Sequence, residues 1–248
     1  MEYLTQELTE TTFSREEELT FANCDVRKKM KLSAMLSTMA SIAGYDYDAR
    51  GLTYEVLRDM QQVFLLARIT LKVHRLPENR DILKVTTWEN GVRGVHMRRC
   101  FDLSDREGRP CVAGRSSWIL VDPDSRKILR PGLFTGKPIA EVERELDCPE
   151  CKKVLLPKEG VEEIGRRQVR FTDLDANGHL YSGNYGNVIW DFLPEELQLR
   201  DLREFSINYN HEATLGEELR LTGCRAGDRY YMMGQGGGEP CFTCECVF

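Results

Sequence analysis

Val169-Arg170-Phe171-Thr172-Asp173-Leu174-Asp175-Ala176-Asn177-Gly178-His179-Leu180-Tyr181-Ser182-Gly183-Asn184-Tyr185-Gly186-Asn187-Val188-Ile189-Trp190-Asp191-Phe192-Leu193 is the stretch on which the reading of this chain turns. Its opening Val169-Arg170-Phe171 alternates as on a half-buried strand. Tyr185, Val188, Ile189 and Phe192 follow an i, i+3, i+4, i+7 series, which predicts a helix from about Gly183 with one apolar stripe. Ser182 and Asn184 are both good N-cap residues for it. Between strand and helix, Asp173, Asp175, Asn177 and His179 place a polar group at every second position. Two carboxylates, an amide and one of only 4 histidines thus converge on a helix start, where developing negative charge is best received.

Working outward, strand, long helix and antiparallel meander occur twice. In the first half, Leu19-Thr20-Phe21 reads as strand, and Leu32, Met35, Leu36, Met39 and Ile42 form a helical stripe stopped at Gly44. The unbroken alternation of Val63, Leu65, Ala67, Ile69, Leu71 and Val73 begins a meander that runs to Val121. Pro131, Gly132, Pro138, Pro149, Pro157 and Gly160 punctuate a charged connection. After the opening stretch come strands near Phe205–His211, Glu217–Cys224, Tyr230–Gly234 and Cys241–Phe248. One curled antiparallel sheet around one helix fits each half, an α+β arrangement with domains at 1–130 and 163–248 and a linker at 131–162. The repeat is one of pattern and not of residues. Where the second half has Asp175, Asn177 and His179, the first reads Cys24-Asp25-Val26-Arg27, with no counterpart expected, so the second half should carry the chemistry.

Composition narrows the function classes. Hydrophobic content of 41% with 30% charged residues reads as a soluble globular protein. The start of the chain has no secretory pattern and no segment is apolar enough to span a bilayer, so no membrane role is expected. Nine cysteines without framework spacing suit a reducing cytoplasm. A net charge of −6 argues against general nucleic-acid binding. Asp173-x-Asp175-x-Asn177-Gly178 fails as a calcium loop, because its twelfth position is Asn184 and a strand leads into it. Cys148-x-x-Cys151 and Cys241-x-x-Cys244 lie too far apart for a zinc ribbon, and free thiols are expected, with no metal and no cofactor. Without other information, the Asp/Asn cluster would be a polar turn, and Glu212 a solvent-facing strand residue on the face of Ser206, Asn208 and Asn210 unless a bulge re-aims it.

The motifs together resemble the acyl-acyl carrier protein thioesterases, bacterial relatives of the plant plastid enzymes. Asp173-Leu174-Asp175-Ala176-Asn177-Gly178-His179 matches that family's D-L-D-x-N-x-H run, and Tyr209-Asn210-His211-Glu212 its Y-R-R-E run. Thr87-Trp88 with Arg98-Arg99, and Ser117-Trp118-Ile119-Leu120-Val121-Asp122 with Arg126-Lys127, resemble two further family passages in the same order. The resemblance implies a tandem double hotdog fold and hydrolysis of fatty acyl thioesters on acyl carrier protein. Acyl-CoA hydrolysis and non-catalytic acyl binding stand as alternatives. It assigns function to Asp175, Asn177, His179 and Glu212. The chain departs from the pattern at Ala213, where many plant members have cysteine, at Tyr181-Ser182, where the family has Asn-Asn, and at Cys100, where it has aspartate. With no thiol at 213, either Asp175 or Glu212, helped by His179, is expected to activate water, with Asn177 as donor and the helix start near Ser182-Gly183 polarising the carbonyl. Met35 and Met39, unbranched and adaptable, are expected to line an alkyl slot in the first half. Arg166 and Arg167 are expected to dock the acidic carrier against the net charge of the chain. The oligomeric state is not written in the pattern, and a homodimer stands as one option.

Overall fold

Alternating apolar residues, bulges and tight turns here build one sheet. The computed structural model describes residues 3–136, 140–142 and 144–248; Pro138 of the connection lies outside them. The strands are β1 Tyr3–Leu8, β2 Thr12–Glu18, β3 Val63–Val73, β4 Ile82–Arg93, β5 His96–Ser104, β6 Pro110–Val121, β7 Glu162–Gln168, β8 Glu204–Tyr209, β9 Glu218–Ala226, β10 Arg229–Gly236 and β11 Glu239–Val247. They run in the order β1-β2-β4-β5-β6-β3-β8-β11-β10-β9-β7. The two halves therefore share one sheet, joined where β3 pairs antiparallel with β8.

Four helices accompany the sheet among the described residues: α1 Leu32–Ala49, α2 Tyr54–Asp59, α3 Tyr185–Asp191 and α4 Glu195–Gln198. The stripe expected on α1 is buried, with Leu36 and Met39 fully so. The helix does not stop at Gly44. It continues to Ala49 and ends at Arg50, with Gly51 beyond it at φ +79°. In the second half the helix is short, because Pro194 cannot continue it, although Tyr185, Val188 and Ile189 are buried as their spacing predicts. Where α3 crosses the start of α1, Gly186 is required, since a Cβ there would meet the Ser33 backbone at 2.6 Å. The core around these helices includes Phe13, Phe101, Phe205 and Phe242, all fully buried.

Two strand assignments move. Leu19-Thr20-Phe21 and Val169-Arg170-Phe171 are not strands: β2 and β7 end just before them, and Phe21–Asn23 and Phe171–Asp173 are 3-10 turns. Phe21 and Phe171 are 75% and 78% exposed, so alternation misled where the apolar residue faces solvent.

The connection expected between the halves is strapped onto the sheet face away from the helices. The Val154 amide donates to Asn208 Oδ1 (2.7 Å), Arg115 Nε donates to the Cys148 carbonyl (3.0 Å), and Cys148 and Val154 are buried. No helix among the described residues is long and apolar enough to cross a membrane. All nine cysteines are free thiols.

Candidate active site

The site starts from a tight loop. The Asp175 amide donates to the His179 carbonyl (2.8 Å), and Leu174 bridges Leu180. Asp175 Oδ1 accepts from the amides of Asn177 (2.8 Å) and His179 (3.2 Å), and Gly178 takes φ +81°. A carboxylate bonded to its own loop in this way fixes where the next two side chains point. Asn177 and His179 are those side chains.

The opposing wall is made by a bulge. Just past β8, the amides of Asn210 and His211 both donate to the Cys241 carbonyl, at 2.8 and 3.3 Å. Two residues against one partner break the alternation, and Glu212 turns away from the face of Asn208 toward the loop. Glu212 Oε2 then lies 3.3 Å from His179 Nε2. The Arg126 guanidinium donates to the same Oε2, and this bond holds the arginine's pKa above its usual value. Arg126 stands at φ +60° in the turn after β6, where Asp122 Oδ1 accepts from the Ser125 amide and hydroxyl. On the far side, the Tyr54 hydroxyl donates to Asn177 Oδ1 (3.1 Å), which leaves the Asn177 Nδ2 donors for the cavity.

Asn177, His179 and Glu212 line a cavity of about 440 Å³ with Trp118, Tyr181 and Tyr185. Phe64, Trp118 and Asn177 also border a second cavity of about 390 Å³, which runs between α1 and the first-half sheet past Ala43, Gly44, Tyr47 and Leu57. A polar cluster thus stands at the mouth of an apolar slot. Two of the polar groups on its wall are paired: Arg99 Nη1 donates to Asp46 (2.7 Å), and Tyr47 donates to Glu89 (2.7 Å).

Several expected residues sit elsewhere. Met39 is fully buried beneath the sheet, so close to Gly114 that a Cβ there would come within 2.6 Å of its Sδ. Met35 is 1% exposed and borders a different cavity, at the start of α1. The slot lies along the face of α1 that carries Ala40, Ala43 and Gly44 instead. Arg166 is paired with Glu163 (3.0 Å) and Glu218 (2.9 Å), and Arg167 with Asp173 (2.8 Å). On edge strand β7 these two are neutralised by neighbours and do not border the Glu212 cavity. The expected helix-start donors also shift: Asn184 occupies the N-cap position of α3, but its Nδ2 donates to the Asp173 carbonyl (3.0 Å) and makes no cap bond. Tyr54 and Trp118 were missed as site walls, because only the packing of α2 and β6 brings them there. Arg126 carried a signal, the basic pair after Asp122.

The first half, expected to hold no counterpart of Asp175, has one. Asp25 Oδ1 accepts from the amides of Arg27 (2.8 Å) and Lys29 (3.1 Å), Cys24 bridges Met30, and Lys28 takes φ +64°. The bulge is repeated as well, with His74 and Arg75 both donating to the Cys111 carbonyl. In this matching frame Arg27, Lys29 and Leu76 stand where the second half has Asn177, His179 and Glu212. Arg27 and Lys29 are tied to Asp201 at 2.8 and 2.9 Å.

Two family models match the chain: the acyl-ACP thioesterase N-terminal domain over residues 10–131 and the C-terminal domain over residues 158–233. The chain is 27% identical over 202 residues to a chloroplastic acyl-[acyl-carrier-protein] hydrolase of Cuphea viscosissima, covering 75% of this chain and 46% of that protein. It is 27% identical over 203 residues to a palmitoyl-acyl carrier protein thioesterase of Cuphea hookeriana, with the same 75% and 46% coverage. The chain thus spans about half the length of these curated relatives. Among solved structures, an acyl-ACP thioesterase from Bacteroides thetaiotaomicron superposes with a TM-score of 0.88 at 19% identity, over 97% of this chain and 100% of that one. A 12:0-ACP thioesterase from Umbellularia californica gives 0.78 at 16% identity, over 97% and 98%. The fold is the tandem double hotdog, α+β, that the motifs implied.

Proposed function

Because the chain belongs to the acyl-ACP thioesterase family, we propose that it hydrolyses fatty acyl thioesters of acyl carrier protein, releasing the free fatty acid. The observation that carries this reading is the meeting of Glu212, His179 and Asn177 at the mouth of the apolar slot. The acyl chain enters the slot of the first half and the thioester carbonyl stops beside Asn177. Glu212, ion-paired with Arg126, and His179 form the basic pair that takes a proton from water as its oxygen attacks the carbonyl carbon. Asn177 Nδ2 donates to the oxyanion that develops. Collapse breaks the C–S bond, and the proton passes from the pair to the departing thiolate.

Asp175 has a different task in this scheme. Its bonds are those of Asp25, in a half that lacks the histidine and glutamate of the site, so it shapes the loop and Glu212 is the base. The first half (1–130) supplies the slot and the second (163–248) the hydrolytic groups. A soluble carrier and nine free thiols fit work in the cytoplasm.

Glu212→Gln keeps the size of the side chain and removes the base. Turnover on an acyl carrier protein substrate should fall by roughly 10²–10⁴-fold, with the melting temperature kept within a few degrees. Activity near the wild-type level would remove Glu212 from the reaction. Hydrolysis of the same acyl chain on CoA at equal or better kcat/KM would shift the substrate from the carrier to the coenzyme.

A further inference from the structure

Alternation along β5 divides its side chains between two faces of the sheet. Met97 borders the slot, while His96 and Cys100 border another cavity of about 470 Å³ on the face where the strap crosses, and Arg98 and Arg99 border both. Arg68, Arg93, Arg98, Arg99, Arg115 and Lys152 line this second space, and Asp46 and Glu89 neutralise Arg99. The other five cations, gathered in one concavity, repel each other, and low-dielectric walls concentrate their field.

The carboxylates nearby do not match that charge. Glu150 lies 3.1 Å from Arg115 and 3.5 Å from Arg98. Glu141 stands at the rim by Gly91, and Lys152 reaches Glu245 at 3.6 Å. Arg68 and Arg93 have no acidic partner among the described residues, and the Nε of Arg98 is buried without an acceptor. Arg115 is held in place from behind: Nε donates to the Cys148 carbonyl (3.0 Å) and Nη1 to Asn90 Oδ1 (3.3 Å). His96 Nδ1 lies 2.7 Å from Ser117 Oγ and adds a polar ring. Burial and then Arg68 push its pKa down, so the ring contributes hydrogen bonding and not charge at neutral pH.

We propose that this cavity is a second ligand site, on the opposite face of the sheet from the hydrolytic centre, which takes a small phosphoryl-bearing anion. Planar guanidinium forks match phosphate oxygens in pairs, and a preorganised Arg115 with Arg68 and Arg93, the two that lack an acidic partner among the described residues, is the arrangement that such an anion completes. The volume admits a small molecule or a phosphodiester, whereas the acidic face of a protein would dock on a broader, flatter surface. Two sources supply the same chemistry: a free phosphorylated metabolite, or the phosphodiester in the prosthetic arm of the carrier. The site stands independently of the hydrolytic assignment.

The test is thermal melting of the full chain in sodium pyrophosphate against sodium chloride at matched ionic strength. A saturable rise in melting temperature is expected with pyrophosphate alone, and binding at least tenfold weaker in Arg68→Gln/Arg93→Gln. Arg93→Gln alone, at an exposed side chain, gives a second reading that folding cannot obscure. Pyrophosphate that raises KM for the acyl carrier substrate, yet leaves a short acyl thioester without phosphate unaffected, identifies the carrier arm as the source. Pyrophosphate that binds without changing KM identifies a free metabolite. Equal melting in the two salts, or an equal rise in wild type and both variants, overturns the site.

Discussion

Gly44 offers a direct test of the proposal that an alkyl chain lies in the slot beside α1. It is in the interior of α1 with ordinary helical backbone, and a Cβ placed there meets nothing within 4 Å. Gly44 is exposed and borders the slot with Ala43 and Leu57. Gly44→Leu would fill it with a side chain that displaces about four methylenes of substrate, each worth about 0.8 kcal/mol on burial. The lost binding is about 3 kcal/mol, or about two powers of ten in kcat/KM for chains that reach this depth. Replacing a helical glycine also removes a penalty of about 0.8–1 kcal/mol relative to alanine, so the variant should melt no lower than wild type. The assay is kcat/KM across a series of saturated acyl chains on the carrier, with thermal melting in parallel. Long chains should fall about a hundredfold while chains about four carbons shorter keep their rates. A uniform fall across lengths in a stable variant, or an unchanged profile, would place the alkyl chain outside this slot.

Asp25 and Asp175 should behave alike in stability and differently in rate. Asp25→Ala and Asp175→Ala should each cost about 1–2 kcal/mol in denaturant unfolding, but only Asp175→Ala, which frees His179 and Asn177, should lower turnover. Tyr54→Phe should reduce turnover less than Asn177→Ala, because it loosens the amide without removing its donors; the ratio of the two kcat values checks this. Glu245 carries a pH dependence: burial raises its pKa, but Arg229 and Tyr231 more than offset that, so the folded value lies below the unfolded one. Its contribution is present at neutral pH and is lost as pH falls through the folded value, so the gap in melting temperature between wild type and Glu245→Gln should shrink on acidification.

The sequence made the loop chemistry legible, because Asp175, Asn177 and His179 act within a few residues of each other. Glu212 was readable only through the motif, since strict alternation sends it to the wrong face and the bulge depends on Cys241 of another strand. Met35 and Met39 show a further limit. Helical spacing identifies a buried face but does not say which cavity, if any, a residue on it borders: Met35 borders the one at the start of α1, and Met39 packs on the sheet at Gly114. Arg166 looked available because Glu218, its partner across β7 and β9, is far away in sequence. The joining of the halves rests on a pairing of β3 with β8 that no local pattern announces.

That junction carries its own symmetry. Thr70 is paired with Ser206, their hydroxyl oxygens 3.2 Å apart, with Arg68 opposite Asn208 and Lys72 opposite Glu204. Counted back from the matching bulges, Thr70 and Ser206 are each other's equivalents, so a pseudo-dyad passes between them. A true dimer of identical units meeting about such an axis must present two identical sites, and any change that widens one for an alkyl chain alters the other. Linking the units in one chain removes that constraint. At matching positions one copy has Leu76 and Lys29 where its sister has Glu212 and His179. The backbone still keeps the axis, while covalent linkage lets the side chains on its two sides differ.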